Sequence, residues 1–337
     1  MRLASAAIFT ALALHAQSWA PQNSGTSASL RGLSAVDSKT VWASGTRGTY
    51  VVTTDGGATW RAASLPGAEK LDFRAVRAFD AHTAYLLSIG TGEQSRVYKT
   101  TDSGATWKLL FKNPDAKGFF DGLAFWDARR GIIAGDAVDG RIAIFTTDDS
   151  GEHWTRRETP PAIGEEGAFA ASNTSLALFG AHDVWLGTGG KGAARVLHSK
   201  DNGRTWAVAP TPIRNDSASA GIFSVCFQTP VRGIAVGGDY TKPGDSARNI
   251  ALTTDGGQTW TALSGKPPAD FRSAVAYIPD LQAWVATGTS GSDISTDGGA
   301  NWKQFDAAAY NALAFVSGGA GWAVGPRGAI AKFIPPR

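Results

Sequence analysis

Residues 53–60 read TTDGGATW, and the same frame returns as TTDSGATW at 100–107, TDDSGEHW at 147–154, SKDNGRTW at 199–206, TTDGGQTW at 253–260 and STDGGANW at 295–302. All six copies fit Ser/Thr-x-Asp-x-Gly-x-x-Trp, so the chain is first of all a repeat. In such a turn the hydroxyl and the carboxylate can bond the turn's own backbone N–H groups, the glycine supports a positive φ, and the Trp supplies a large apolar wedge. The motif therefore reads as a fold device. A calcium site is excluded because each loop offers too few oxygens for six to eight ligands.

The turn carboxylates are Asp55, Asp102, Asp149, Asp201, Asp255 and Asp297, spaced 42 to 54 residues apart, which is the length of a four-stranded propeller blade. A second repeat precedes the turns: VWASG (41–45), AYLLSIG (84–90), GIIAG (131–135), VWLGTG (184–189), GIAVGG (233–238), AWVATG (283–288) and GWAVG (321–325). There are seven of these, one more than the turns. Each unit reads as an inner strand such as LRGLSAVD (30–37), a second strand such as VWASG, a third such as TYVVTTD, the Asp turn, and an outer strand that begins at the Trp. The last unit has YNALAFV, GWAVG and AIAKF but no outer strand, while SWAPQ (18–22) aligns with TWRAA (59–63) and precedes the first inner strand. Pairing SWAPQ beside AIAKF would close a ring and leave no open edge. The expected fold is all-β, a seven-bladed β-propeller closed by an N-terminal strand that completes the last blade.

This pattern, carried by the six Asp turns and the seven VWASG-type strands, resembles the Asp-box (BNR) repeat β-propellers. The single seven-blade ring is most similar to the photosystem II stability/assembly factor group. That resemblance implies a non-catalytic scaffold that binds another protein, a membrane complex during assembly being one candidate.

Residues 1–16 combine a basic start at Arg2 with an apolar run, the layout of a signal peptide, so export to a periplasmic or extracellular space is expected, with residues 17–337 as the propeller. Cleavage after Ala20 is the alternative. No later stretch reaches the length of apolar sequence that a membrane span needs. The single cysteine, Cys226, sits in the apolar run GIFSVCFQ and reads as structural rather than nucleophilic. A net charge of +3 is too small to argue for nucleic acid. His82, His153, His182 and His198 lack metal-ligand spacing, so no metal and no cofactor is expected. GTGG at 187–190 and GGDY at 237–240 end strands and meet no helix, which excludes phosphate-cradling loops. Of the twelve Trp residues, Trp126 alone falls outside the repeat frame.

What the repeat does not require is a charged channel mouth. If each inner strand runs down the channel, the Asp turns share the lower rim and the loops entering each inner strand crowd the upper face, where propeller ligands are expected. Arg31, Arg74 and Arg272 stand at equivalent places in LRGLSAV, FRAVRAF and FRSAVAY, on adjoining blades. Across from them stand Asp121, Asp136, Glu165, Glu166, Asn173, Asp239 and Tyr240. These ten residues are the candidate binding set, and catalytic residues are not assigned. A wider set, Arg47, Arg96, Arg141, Arg195, Arg248 and Arg327, is expected farther from the axis. The partner class is a protein or an anionic glycan, held by a monomer. The competing reading is a sialidase-like or other glycosidase; against it, no Phe/Tyr-Arg-Ile-Pro stretch opens the ring, and FIPPR at 333–337 is in the wrong order.

Overall fold

The computed structural model describes residues 17–242 and 244–336, so the expected leader at 1–16 lies outside the described residues. Seven four-stranded antiparallel sheets follow one another along the chain. Blade 1 is formed by Leu30–Ala35, Val41–Gly45, Thr49–Thr53 and Arg61–Ser64. The inner strands of blades 2 to 6 are Asp72–Ala78, Phe120–Phe125, Leu176–Phe179, Ala220–Phe227 and Ala274–Ile278. Each inner strand packs against the next, and that of blade 7, Ala312–Phe315, packs against that of blade 1, so the ring is closed.

Blade 7 is composite. Its outer strand is Ser18–Asn23, antiparallel to Ala329–Ile334 with Trp19 opposite Phe333 and Gln22 opposite Ile330. Trp19 is 5% exposed; its ring meets Tyr310, Phe315 and Phe333, and its Nε1 donates to Ser292 Oγ in blade 6 at 3.0 Å. The seven-bladed ring with N-terminal closure is thus as the repeat arithmetic requires.

The core lies between blades. Every residue of Val41–Gly45 is buried because the middle strands of a blade are covered on both faces, whereas Lys108–Lys112 on an outer edge keeps its lysines in water. Trp42, Trp185, Trp284 and Trp322 occupy one position of the second strand and are among the most buried side chains. Trp42 and Trp185 each donate Nε1 to a carbonyl of the next blade, Asp80 O and Gly256 O. Trp126 does the same at the end of its inner strand, donating to Asp183 O. The residue left outside the repeat frame is therefore also a wedge between blades.

The Asp turns are built alike. In the turn at 199–206, Ser199 Oγ donates to Asp201 Oδ1 at 2.8 Å and accepts from Gly203 N, while Asp201 accepts from Thr205 N at 2.8 Å and Thr205 Oγ1 at 2.6 Å. Burial opposes the charge on Asp201, but these donors outweigh it and hold the carboxyl at about 2. In the turn at 253–260 the Thr259 hydroxyl and then its N–H do the same for Asp255, also at about 2. A depressed carboxyl stabilises the fold above its unfolded value, and that contribution disappears as pH falls through the folded value.

Two outcomes are expected. Asp201→Ala should lower stability by roughly 1–2 kcal/mol at neutral pH, and the deficit should shrink between about pH 4 and pH 2 as the wild-type carboxyl protonates; denaturant titrations across that range check both. Removing residues 17–24 should cost at least about 3–5 kcal/mol through loss of Trp19 alone and should expose an edge that associates. A truncated chain that stays monomeric and melts with the intact one would contradict the closure.

Candidate functional site

The inner strands carry a shared irregularity at their upper ends. Pairing with the second strand slips between Leu30 and Gly32, between Phe73 and Ala75, between Phe120 and Gly122, and between Ile222 and Ser224. Each slip leaves one extra residue, Arg31, Arg74, Asp121 or Phe223, and a bulge re-aims that side chain out of the ladder. All four line one cavity of about 790 Å³ at the channel mouth, to which every blade contributes. The residue after each bulge is small. A Cβ on Gly32 would lie 2.3 Å from Ser44 Oγ and 2.9 Å from the backbone N of Val76, so the next blade leaves no room for more.

The cavity floor is the chain itself. Residues 164–174, which enter blade 4, cross the mouth before the inner strand begins at Leu176. Arg31 Nη1 donates to Ala171 O at 3.3 Å and Arg74 Nη1 to Ala170 O at 3.0 Å. Ser172 Oγ donates to Ser273 O of blade 6 at 2.7 Å, Thr174 Oγ1 bonds Ser224 Oγ of blade 5, and Phe169 stacks on Phe223 at 3.9 Å. Glu166, 1% exposed, pins the base of the segment, accepting from Thr188 Oγ1 at 2.6 Å and pairing with Arg195.

Electrostatically the mouth has two poles. Burial and, second, the like charge of Arg74 pull the Arg31 guanidinium down to about 10, against the attraction of Asp72. Arg74 Nε is paired with Asp72 at 2.9 Å. Opposite them Asp121 and Asp136 face the same cavity. Burial, then the charge of Asp136, pushes the Asp121 carboxyl well up, and burial raises Asp136 to about 6. Phe169, Phe223 and Phe271 form an apolar wall, and Tyr240, 57% exposed, extends it outward.

Of the ten candidate residues, the cavity brings together Arg31, Arg74, Asp121, Asp136, Glu165, Glu166 and Tyr240. Arg272 is not among them. The inner strand of blade 6 begins at Ala274 and pairs without a slip, so no bulge re-aims Arg272 just before it, and Ser273 reaches the mouth instead. Arg272 is fully buried and held by Asp293, with Nε 2.6 Å from Oδ2, and by Ser290 Oγ at 2.9 Å. The expectation that three arginines converge is corrected to two.

Asn173 also turns away from the mouth. At φ 64° it clamps the backbone of Leu123, accepting from its N at 2.8 Å and donating to its O at 3.0 Å, which substitutes for inner-strand packing where blade 4 is short. Asp239 is buried under the rim, where burial opposes its charge but Ser219, Thr241 and Ser217 donate to it and draw it below the usual carboxylate range. Sequence reasoning missed Lys117, Phe169, Phe223 and Phe271. The signal for Phe223 was present: IFS of blade 5 aligns with LRG of blade 1.

None of the six wider arginines lines the cavity; Arg47, Arg248 and Arg327 sit at positive φ in turns, and Arg195 is committed to Glu166. Desolvation lifts the Cys226 thiol to about 11, away from a nucleophile's range.

The family model of the photosynthesis system II assembly factor YCF48 matches residues 11–169. No curated protein matches the chain. Among solved structures, YCF48 bound to D1 peptide superposes with a TM-score of 0.64 at 18% identity, covering 94% of each chain. YCF48 from Cyanidioschyzon merolae gives 0.65 at 19% identity, covering 95% of this chain and 99% of that one. An ancestral GH74 enzyme gives 0.65 at 13% identity over 92% of this chain but 45% of its own. The chain is a seven-bladed propeller, similar over residues 11–169 to the YCF48 family and in its fold to the YCF48 structures. At these identities the structural likeness carries the fold and not the activity.

Because Arg272 is a buried partner and not a ligand group, Arg272→Ala should leave Asp293 uncompensated and destabilise the protein by about 3–5 kcal/mol. Urea unfolding measures it; a loss below about 1 kcal/mol would return Arg272 to the solvated rim.

Proposed function

We propose that this chain is an exported, non-catalytic propeller that binds an acidic segment of another protein in its channel mouth. The observation that carries the reading is the pair Arg31 and Arg74. Both are aimed into a large cavity by bulges, Arg31 being desolvated there, and between them they have one carboxylate partner, Asp72, and two backbone carbonyls. Two like charges held together with so little compensation favour an added anion, and planar guanidinium groups favour a carboxylate. The adjoining Phe223 and Tyr240 suit a peptide with apolar side chains beside its acids. The D1 peptide of the YCF48 complex supports a polypeptide ligand, and a membrane complex under assembly is the partner class we favour.

The glycan-active alternative draws on the carboxyl pair Asp121 and Asp136 in the same cavity and on the GH74 likeness. The deciding experiment captures partners from a membrane extract of the exporting cell, using the mature chain as bait, and incubates the same protein with a panel of acidic glycans. The Arg31→Ala, Arg74→Ala double variant should weaken association with the captured partner roughly 10–100-fold while melting close to wild type, and wild-type binding should weaken with salt. Equal, salt-independent affinities overturn the reading, and turnover of a glycan replaces it with the enzyme.

A further inference from the structure

The proposed ligand pole of the mouth leaves one feature unused. Asp121 is 2% exposed, its Oδ2 has no hydrogen-bond partner among the described residues, and its carboxyl faces Asp136. The crossing segment is seated directly on this pair. A Cβ on Gly167 would lie 1.9 Å from Asp136 Oδ1, and the Ala168 and Ala170 N–H groups face Asp136 and Asp121 respectively. The same segment presents the carbonyls of Ala170 and Ala171 to Arg74 and Arg31. One short stretch of backbone thus lies between the two arginines and the two acids.

Two carboxyls in contact in a desolvated place cannot both ionise cheaply, so the pair retains a proton where isolated carboxyls have lost theirs. The charged groups around it are Arg74 and Asp72 on the inner strand of blade 2, Arg31 on that of blade 1, Lys117 on the entry to blade 3, and Glu165 with the Glu166–Arg195 pair on the crossing segment. Arg74 favours the ionised form of Asp121. A carboxylate bound at the arginines would cancel that influence and add repulsion of its own, and both changes favour the protonated pair.

We propose that the Asp121–Asp136 pair couples ligand binding to protonation, so that a carboxylate docking on Arg31 and Arg74 is bound together with a proton taken from solvent by the two aspartates. The inference rests on the acidic-ligand reading above and adds its regulation. Binding tightens as pH falls through about 6, where Asp136 titrates, and weakens above it. If the bound carboxylate raises the pair by one pH unit, affinity differs by about tenfold between the two limits. No histidine lines the cavity among the described residues.

The probe is a synthetic acidic decapeptide of Asp, Glu and Phe residues, titrated calorimetrically at pH 5, 6 and 7 in two buffers of different ionisation enthalpy. Wild type should lose about fivefold in affinity from pH 5 to 7, part of the tenfold between the limits, and take up a fraction of a proton at pH 6. Asp136→Asn, which preserves shape, should bind with a flat pH profile and no buffer dependence. Because that variant could disturb the fold, proton uptake by the wild type alone is the second measurement, and no uptake at pH 6 overturns the coupling. Binding that falls equally in both proteins also overturns it while leaving the acidic-ligand reading intact. Binding that is undetectable in wild type at every pH, or unchanged in the Arg31→Ala, Arg74→Ala variant, overturns the acidic-ligand reading itself.

Discussion

The antiparallel pairing of Ser18–Asn23 with Ala329–Ile334 is the constraint on which the rest depends. A propeller blade covers its faces only by packing on two neighbours, so the first and last blades are incomplete until the ring closes. Trp19 shows how the closure is held: it is inserted among Tyr310, Phe315 and Phe333 and tied to Ser292 of the preceding blade, so the strand is locked by packing as well as by its ladder. The cavity at the mouth borrows residues from all seven blades. Without the closing pair there would be inner strands but no mouth for them to enclose.

Within the closed ring, the site is made by departures from the repeat. Four inner strands gain one residue near the upper rim, and that residue is Arg, Arg, Asp or Phe. In blade 6 the inner strand pairs without a slip and begins after Arg272, which stays in the wall, where Asp293 neutralises it. Residues of the same type at aligned sequence positions thus have opposite fates, two beside a bulge and one where the strand pairs without it.

The fold was legible because its determinants are local and periodic. The Asp turns each complete their hydrogen bonds within eight residues, so a short window contains the whole cause, and seven second strands against six turns showed where the missing strand had to come from. The mouth was half legible. Arg31, Arg74, Asp121 and Asp136 could be placed by strand position, but a bulge is a property of a pair of strands and leaves no mark in one of them, which is why Arg272 was grouped with the others. Asn173 and Asp239 were misplaced for a different reason: their partners, Leu123 and the hydroxyls of Ser217 and Ser219, lie on other elements that only the folded ring brings near. Phe169 owes its position to a segment with no counterpart in the other blades, and no repeat alignment could carry it there.

That crossing segment also changes what kind of object the ring is. In a pure array each unit touches only its neighbours, and the energetic effect of a change stays with the blade that suffers it. Here one strand entry touches blades 1, 2, 3, 5 and 6 through Arg31, Arg74, Asn173, Thr174 and Ser172. It acts as a hub with spokes. Substitutions on opposite sides of the channel share this partner, so their effects on stability should not simply add, and a double-mutant cycle between blade 1 and blade 6 would register a coupling that adjacency alone does not supply.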